Sequence, residues 1–260
     1  MNLQQLFSLD GECIVVTGGY GYLGSAICKG LAGAGARVIV VGRSKDKFAD
    51  AFSNVAKVYF QRCDVAETES VAAAFVAIHK QFGEITALVN NAHYGRGGAV
   101  DSKSDEAWSI TLDGTLGSYH RCIREVLPFF RSRGGGGNIV NIASMYGVVA
   151  PDFDLYLDYP SFTNPPDYGA GKAGIIQMTK YFASLLGKEG IRVNALSPGP
   201  FPSFSVQKHA GFTAELAKRT TLNRIGVPEE LIGAVVFLLS KSASFTTGVN
   251  LIVDGGWTIK

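Results

Sequence analysis

The chain has 260 residues, 47% of them apolar and 18% charged, with 24 Lys and Arg against 22 Asp and Glu. That length and composition describe a globular protein with a sizeable core and exclude a disordered or low-complexity chain. The near-balance of charge gives no reason to expect nucleic acid or an anionic membrane as a partner, and no apolar run approaches the length of a membrane span.

In chain order, "MNLQQLFSLDGE" lacks a basic region followed by an apolar core, so no secretory signal is expected and the cytoplasm is the expected compartment. "CIVVTGG" (13–19) reads as a buried strand and 22–34 as a helix; "RVIVVGR" (37–43) and "KVYFQRCDV" (57–65) are the second and third strands. After an amphipathic stretch, 67–82, comes "ITALVNNA" (85–92), then a long helical region, 104–131, and the strand "NIVNIAS" (138–144). "IRVNALSPG" (191–199) and "VNLIVDGG" (249–256) complete the set. Near-continuously apolar strands alternating with helices predict an α/β doubly wound parallel sheet of about seven strands, with helices on both faces. No linker, repeat or composition break appears, so residues 1–260 are expected to form one domain. Cys13, Cys28, Cys63 and Cys122 have no CxxC spacing, so neither a metal site nor a disulfide framework is expected.

Ligands of such sheets bind beyond the C-terminal strand ends, at the switch in strand order. "TGGYGYLG" (17–24) sits at the first of these ends, where Gly18, Gly21, Tyr22, Leu23 and Gly24 would bring backbone amides and a helix N-terminus to a pyrophosphate. A tight strand–helix turn without a ligand is the plainer reading of such a pattern. After the second strand stand Gly42 and Arg43 with no carboxylate until Asp46; an arginine there pairs with a 2′-phosphate, so NADP(H) is favoured over NAD(H). Asp64 could accept from an adenine amino group, or simply cap its loop. Finally, "DYGAGKAG" (167–174) places Tyr168 and Lys172 one helical turn apart on one face. Alone, such a pair is also compatible with a solvated helix surface.

Taken together, these segments resemble the short-chain dehydrogenase/reductase family, in its compact single-domain branch with a Rossmann-like fold, from about residue 7 to the C-terminus. The resemblance rests on "FSLDGECIVVTGG", "LVNNA" (88–92), "NIVNIASMYG", "YGAGKAG", "IRVNALSPGP" and "RIGVPEELIGAVVFLLS…FTTGVNLIVDGG", in that order. It implies Tyr168 as general acid/base, Lys172 as its activator and ribose ligand, and Ser144 as the donor holding the substrate carbonyl. The fourth strand's Asn91 and Ala92, Val65 after the third, and Pro198 and Gly199 after the sixth join the implied cofactor-binding set. A nearby ammonium and the nicotinamide charge are expected to draw the phenol's pKa, ordinarily about 10, toward neutrality.

Several positions depart from the family pattern. The turn is spaced GxxGxxG, with Tyr22 where the compact branch has its second glycine. Gly114 aligns with the family's helix asparagine, whose backbone carbonyl holds a water beside the lysine; Asp113 or Thr115 could substitute. His93 stands where a glycine is usual and reads as a plain loop histidine, with a pocket-facing role as the alternative. The surplus between Ser144 and Tyr168, "APDFDLYLDYPSFTNPPD" (150–167), is acidic and aromatic, suiting either a polyhydroxylated ligand or a lid or subunit contact. Ser203 could replace a threonine of the nicotinamide loop, and 204–222 is the expected substrate lid.

The expected function is an NADP(H)-dependent carbonyl reductase/alcohol dehydrogenase for a polar, sugar-like small molecule, resembling carbohydrate-active members. Alternatives are a keto acid, ketoacyl or cyclic ketone substrate, or a catalytically decayed dinucleotide-binding regulator or scaffold. Relatives imply a homo-oligomer, tetramer or dimer.

Overall fold

Alternation along each strand separates two apolar faces, and the two faces collect different helices. In β1 (Cys13–Thr17), Cys13 and Val15 face one cluster while Ile14 and Val16 face the other. β2 (Arg37–Gly42) repeats the division, with Ile39 and Val41 against Val38 and Val40. Both sets are buried, which accounts for strands that read as continuous apolar runs.

The computed structural model describes residues 2–97 and 100–260. A short helix α1 (Leu3–Phe7) precedes β1. Then follow α2 (Tyr22–Gly33), β2, α3 (Lys45–Phe52), β3 (Val58–Arg62), α4 (Thr68–Phe82), β4 (Ala87–Asn90) and α5 (Asp105–Leu112). After α5 come α6 (Ser118–Ser132), β5 (Gly137–Ile142), α7 (Pro166–Leu186), β6 (Ile191–Pro198), α8 (Phe204–Gln207), α9 (Ala210–Arg219), α10 (Ile232–Leu239) and β7 (Asn250–Val253). The seven strands form one parallel sheet in the order β3-β2-β1-β4-β5-β6-β7. One cluster packs α4, α6 and α7 on the sheet through Phe75, Ile123, Phe130 and Leu186. The other packs α2 and α10 through Ile27, Leu31, Val235 and Leu238. The seven predicted strands and the doubly wound sheet are all present, and the strand order reverses between β1 and β4. Among the described residues, no helix is long and apolar enough to cross a membrane.

One predicted helix differs. The stretch 104–131 is broken between α5 and α6 by a π turn, Asp113–Gly117. The cause is local: a Cβ on Gly114 would lie 1.8 Å from the Tyr94 carbonyl oxygen, so the β4 loop presses directly on the helix backbone. Such single-turn bulges commonly accompany functional sites.

The segment 150–165 folds as two single 3-10 turns, Phe153–Tyr156 and Pro160–Phe162, packed on α9. Phe162 stacks on Phe212 with centroids 4.4 Å apart, and Tyr159 meets the same ring at 5.4 Å. Asp152 pairs with Arg219 at 2.6 Å. Tyr156, Tyr159 and Phe162 are thus packed on Phe212 of α9, while Phe153 stays exposed.

Candidate active site

The β1–β4 switch opens into a cleft of about 380 Å³, lined by Gly18, Gly21, Tyr22, Leu23 and Gly24, with Arg43, Asp64, Val65, Asn91 and Ala92 on its other walls. α2 begins at its floor without a side-chain cap, leaving the first-turn amides free to meet an anion. A Cβ on Gly24 would come within 2.8 Å of both Asn91 Nδ2 and the Gly18 carbonyl, so this turn keeps its depth only with glycine. Asn91 laces the turn to β4: its amide nitrogen donates to Thr17 Oγ1 (2.9 Å), and its side-chain Nδ2 donates to the Thr17 and Gly18 carbonyls. These features fit the pyrophosphate of a dinucleotide.

At the far end of the cleft, Arg43 is 72% exposed and lies 4.0 Å from Asp64. So exposed and loose a pair is worth little, on the order of 0–1 kcal/mol, and leaves the guanidinium available to a phosphate. Asp64 Oδ1 accepts from the Ala66 amide at 3.1 Å, which is the loop-cap role. Tyr20, not anticipated from the sequence, fixes the turn after β2: its phenol oxygen accepts from the backbone N–H of Arg43 (3.0 Å) and of Ser44 (3.3 Å). Tyr22 points elsewhere. Its hydroxyl accepts from Gln207 at 3.0 Å and its ring meets Phe204 edge-on at 5.0 Å, tying the turn to α8.

Leu23, Asn91 and His93 also line an adjoining pocket of about 240 Å³ that contains Ser144, Tyr168, Lys172, Pro198 and Gly199. β5 delivers Ser144, β6 delivers Pro198 and Gly199, and α7 delivers the Tyr–Lys pair. The placement of α7 is set by a buried polar chain: Asn90 donates to Asn141 (2.9 Å), which donates to Thr179 (3.0 Å). Lys172 is buried beneath Tyr168, donates to the Ile142 carbonyl at 2.8 Å, and lies 5.5 Å from the Tyr119 ring centre and 5.6 Å from that of Tyr168. Burial lowers its pKa to about 7.

Burial also raises the Tyr168 phenol above its ordinary value, although the Ser144 hydroxyl beside it works in the opposite direction. In the protein by itself burial is the larger of the two effects and keeps the phenol protonated; the expected pull toward neutrality also involves the nicotinamide charge. A low-dielectric setting penalises phenolate and ammonium alike.

The structure also places the residues about which the sequence left alternatives, and adds an ion pair the sequence did not mark. Contrary to the plain-loop reading, His93 lies on the pocket wall, its ring edge-on to Tyr168 with centroids 5.3 Å apart. Thr115, of the possible asparagine substitutes, reaches His93 Nδ1 at 3.2 Å, whereas Asp113 is engaged by Tyr94 and Arg121 away from the Tyr–Lys pair. The Gly114 carbonyl accepts from Ser118 Oγ at 3.0 Å. Beneath the start of α7, Lys103 and Asp167 form an ion pair with side chains only 4% and 0% exposed. Ser203 meets Ser205, at 2.9 Å, at the start of α8. Nothing in the spacing of the sequence marked the His93–Thr115 and Lys103–Asp167 partners, because each contact joins residues far apart in the chain.

Comparison with known proteins agrees with this geometry. The family model described as enoyl-(acyl carrier protein) reductase matches residues 22–258. The 3-oxoacyl-(acyl-carrier-protein) reductase FabG of Chlamydia muridarum is 34% identical over 256 residues, 95% of this chain and 98% of that protein. Gluconate 5-dehydrogenase of Gluconobacter oxydans is 32% identical over 266 residues, covering 100% and 99%. The crystal structure of a gluconate 5-dehydrogenase from Burkholderia cenocepacia, in complex with NADP and tartrate, superposes with a TM-score of 0.89 at 30% identity, over 100% of both chains.

Proposed function

The chain belongs to the short-chain dehydrogenase/reductase family, and on that premise we propose that it is an NADP(H)-dependent oxidoreductase interconverting a carbonyl and a secondary alcohol on a polar, sugar-like small molecule. The observation that carries this reading is the convergence of Ser144, Tyr168 and Lys172 on one pocket that adjoins the glycine-walled cleft.

In this reading residues 1–260 act as one unit. Gly18, Gly21, Tyr22, Leu23 and Gly24 hold the pyrophosphate and Arg43 the 2′-phosphate. Asp64 and Val65 border the adenine, while Asn91, Ala92, Pro198 and Gly199 border the nicotinamide end. A bound dinucleotide supplies the hydride and, when oxidised, a positive charge that favours phenolate. Tyr168 gives its phenolic proton to the carbonyl oxygen during reduction and takes it back during oxidation. Ser144 donates to that oxygen as charge develops on it. Lys172, fixed by the Ile142 carbonyl, stabilises phenolate from below and offers its remaining protons to ribose hydroxyls. Retention of all three groups argues against a decayed regulator.

The sugar-like substrate is supported by the two gluconate 5-dehydrogenases, one of them bound to tartrate. A ketoacyl substrate is the second reading, favoured by the similarity to FabG. Exposed Trp108 on α5 and exposed Tyr181 and Leu185 on α7 support a homo-oligomer that covers these helices. Following NADPH oxidation with keto sugars, keto acids and a ketoacyl thioester tests the assignment. Turnover of the first group supports it; turnover confined to the thioester moves the assignment to the second reading.

A further inference from the structure

His93 has an unusual setting for a residue at a cleft wall. One ring nitrogen, Nδ1, lies 3.2 Å from Thr115 Oγ1, and Thr115 is fully buried. The Thr115 hydroxyl has one proton, and at 2.7 Å it is committed to the Thr111 carbonyl. Thr115 Oγ1 therefore acts as acceptor toward the imidazole, and Nδ1 carries the hydrogen. Nε2, on the other side of the ring, is left as a bare acceptor. Because Nδ1 is anchored inward, Nε2 faces the junction of the cofactor cleft and the catalytic pocket, both of which His93 lines. The same pocket holds the hydroxyls of Ser144 and Tyr168, the Lys172 ammonium and the Asn91 side-chain amide. Protein packed around the inner face of the ring, together with the nearby Lys172 charge, lowers its pKa to about 4 despite Asp167 acting in the other direction, so the ring stays neutral.

We propose that His93 is a fixed neutral acceptor for a hydroxyl group of the bound ligand, with Thr115 as the positioning residue that sets its tautomer. This rests on the oxidoreductase reading and deepens it. Facing the pocket that holds Ser144, Tyr168 and Lys172, such an acceptor selects molecules bearing a hydroxyl next to the reacting carbonyl. A ribose hydroxyl of the dinucleotide offers the same chemistry, and the experiment separates the two sources.

The test compares wild type with His93→Ala, His93→Gln and Thr115→Val. It measures NADPH affinity by nicotinamide fluorescence and steady-state reduction of 3-hydroxy-2-butanone and of 2-butanone, which lacks the hydroxyl. Loss of one neutral hydrogen bond corresponds to a change of roughly five- to tenfold. If the partner is the substrate hydroxyl, His93→Ala raises KM for the hydroxyketone relative to that for 2-butanone by about that factor, over and above any loss the two ketones share. Thr115→Val shifts the same ratio in the same direction, and His93→Gln, which retains an acceptor oxygen, recovers part of it. If the partner is the ribose, NADPH affinity falls by a similar factor for both ketones alike. Unchanged affinity with an unchanged ratio between the two ketones overturns the proposal. Should wild type reduce neither ketone, the oxidoreductase reading fails for this substrate class and the affinity arm alone decides whether His93 holds a hydroxyl.

Discussion

The carbonyl oxygen of Tyr94 occupies the place a side chain on Gly114 would need, 1.8 Å from its Cβ position. The family resemblance implies asparagine at this helix position, so its absence here is built into the backbone and is more than the loss of one amide. Gly114→Asn is therefore expected to destabilise by about 1–3 kcal/mol through overpacking and to lower turnover, although it restores the family residue. Thermal denaturation and NADPH turnover check this; a variant as stable as wild type and more active contradicts it.

Lys103 and Asp167 are sealed together directly before Tyr168. Removing one charge strands the other in a site without water, so Lys103→Met should cost about 3–5 kcal/mol. The double variant Lys103→Met/Asp167→Leu should recover a large part of that loss, since no lone carboxylate remains. Urea midpoints of the three proteins decide the matter.

Lys172 sets a pH dependence whose sign follows from its burial. In the folded chain it holds its proton only below about 7, and an unfolded lysine holds it to about 10.4. Across that interval the unfolded chain binds more protons, so stability rises with pH, by at most about 1.4 kcal/mol per unit. Wild type should gain stability between pH 7 and pH 9 relative to Lys172→Met, measured by urea denaturation. Parallel curves for the two proteins would mean that Lys172 titrates like a solvated lysine.

Arg43 is the group on which the proposed NADP preference rests. Among the described residues its exposed guanidinium has only the loose Asp64 contact to give up. Side-by-side fluorescence titrations should show tighter binding of NADPH than of NADH, and Arg43→Ala should abolish that difference by weakening NADPH about tenfold or more, as expected for loss of a charge-assisted phosphate contact. Equal affinities in wild type assign Arg43 to the solvated surface.

Much of this was legible in the sequence because it is local. The seven strands announce themselves as β-branched runs, and the strand-end rule places Gly18, Arg43, Asp64, Asn91, Ser144 and Pro198 around the clefts they line. What was illegible depends on approach between distant segments. The π turn exists because the 93–94 loop presses on Gly114, and the placement of His93 depends on that same approach. Tyr20 reaches across 23 residues to the Arg43 amide. The segment 150–165 could be read as acidic and aromatic, but only its packing on Phe212 shows where the rings went.

The central claim is that Tyr168 moves the proton in a dinucleotide-dependent carbonyl reduction, and one comparison tests it most directly. Wild type and Tyr168→Phe are titrated with NADPH and then assayed with the best ketone of the panel. The account predicts equal NADPH affinity and a loss of turnover of about 10²–10⁴-fold in the variant. Turnover retained in Tyr168→Phe would contradict it, and so would failure of the wild type to bind either nicotinamide dinucleotide.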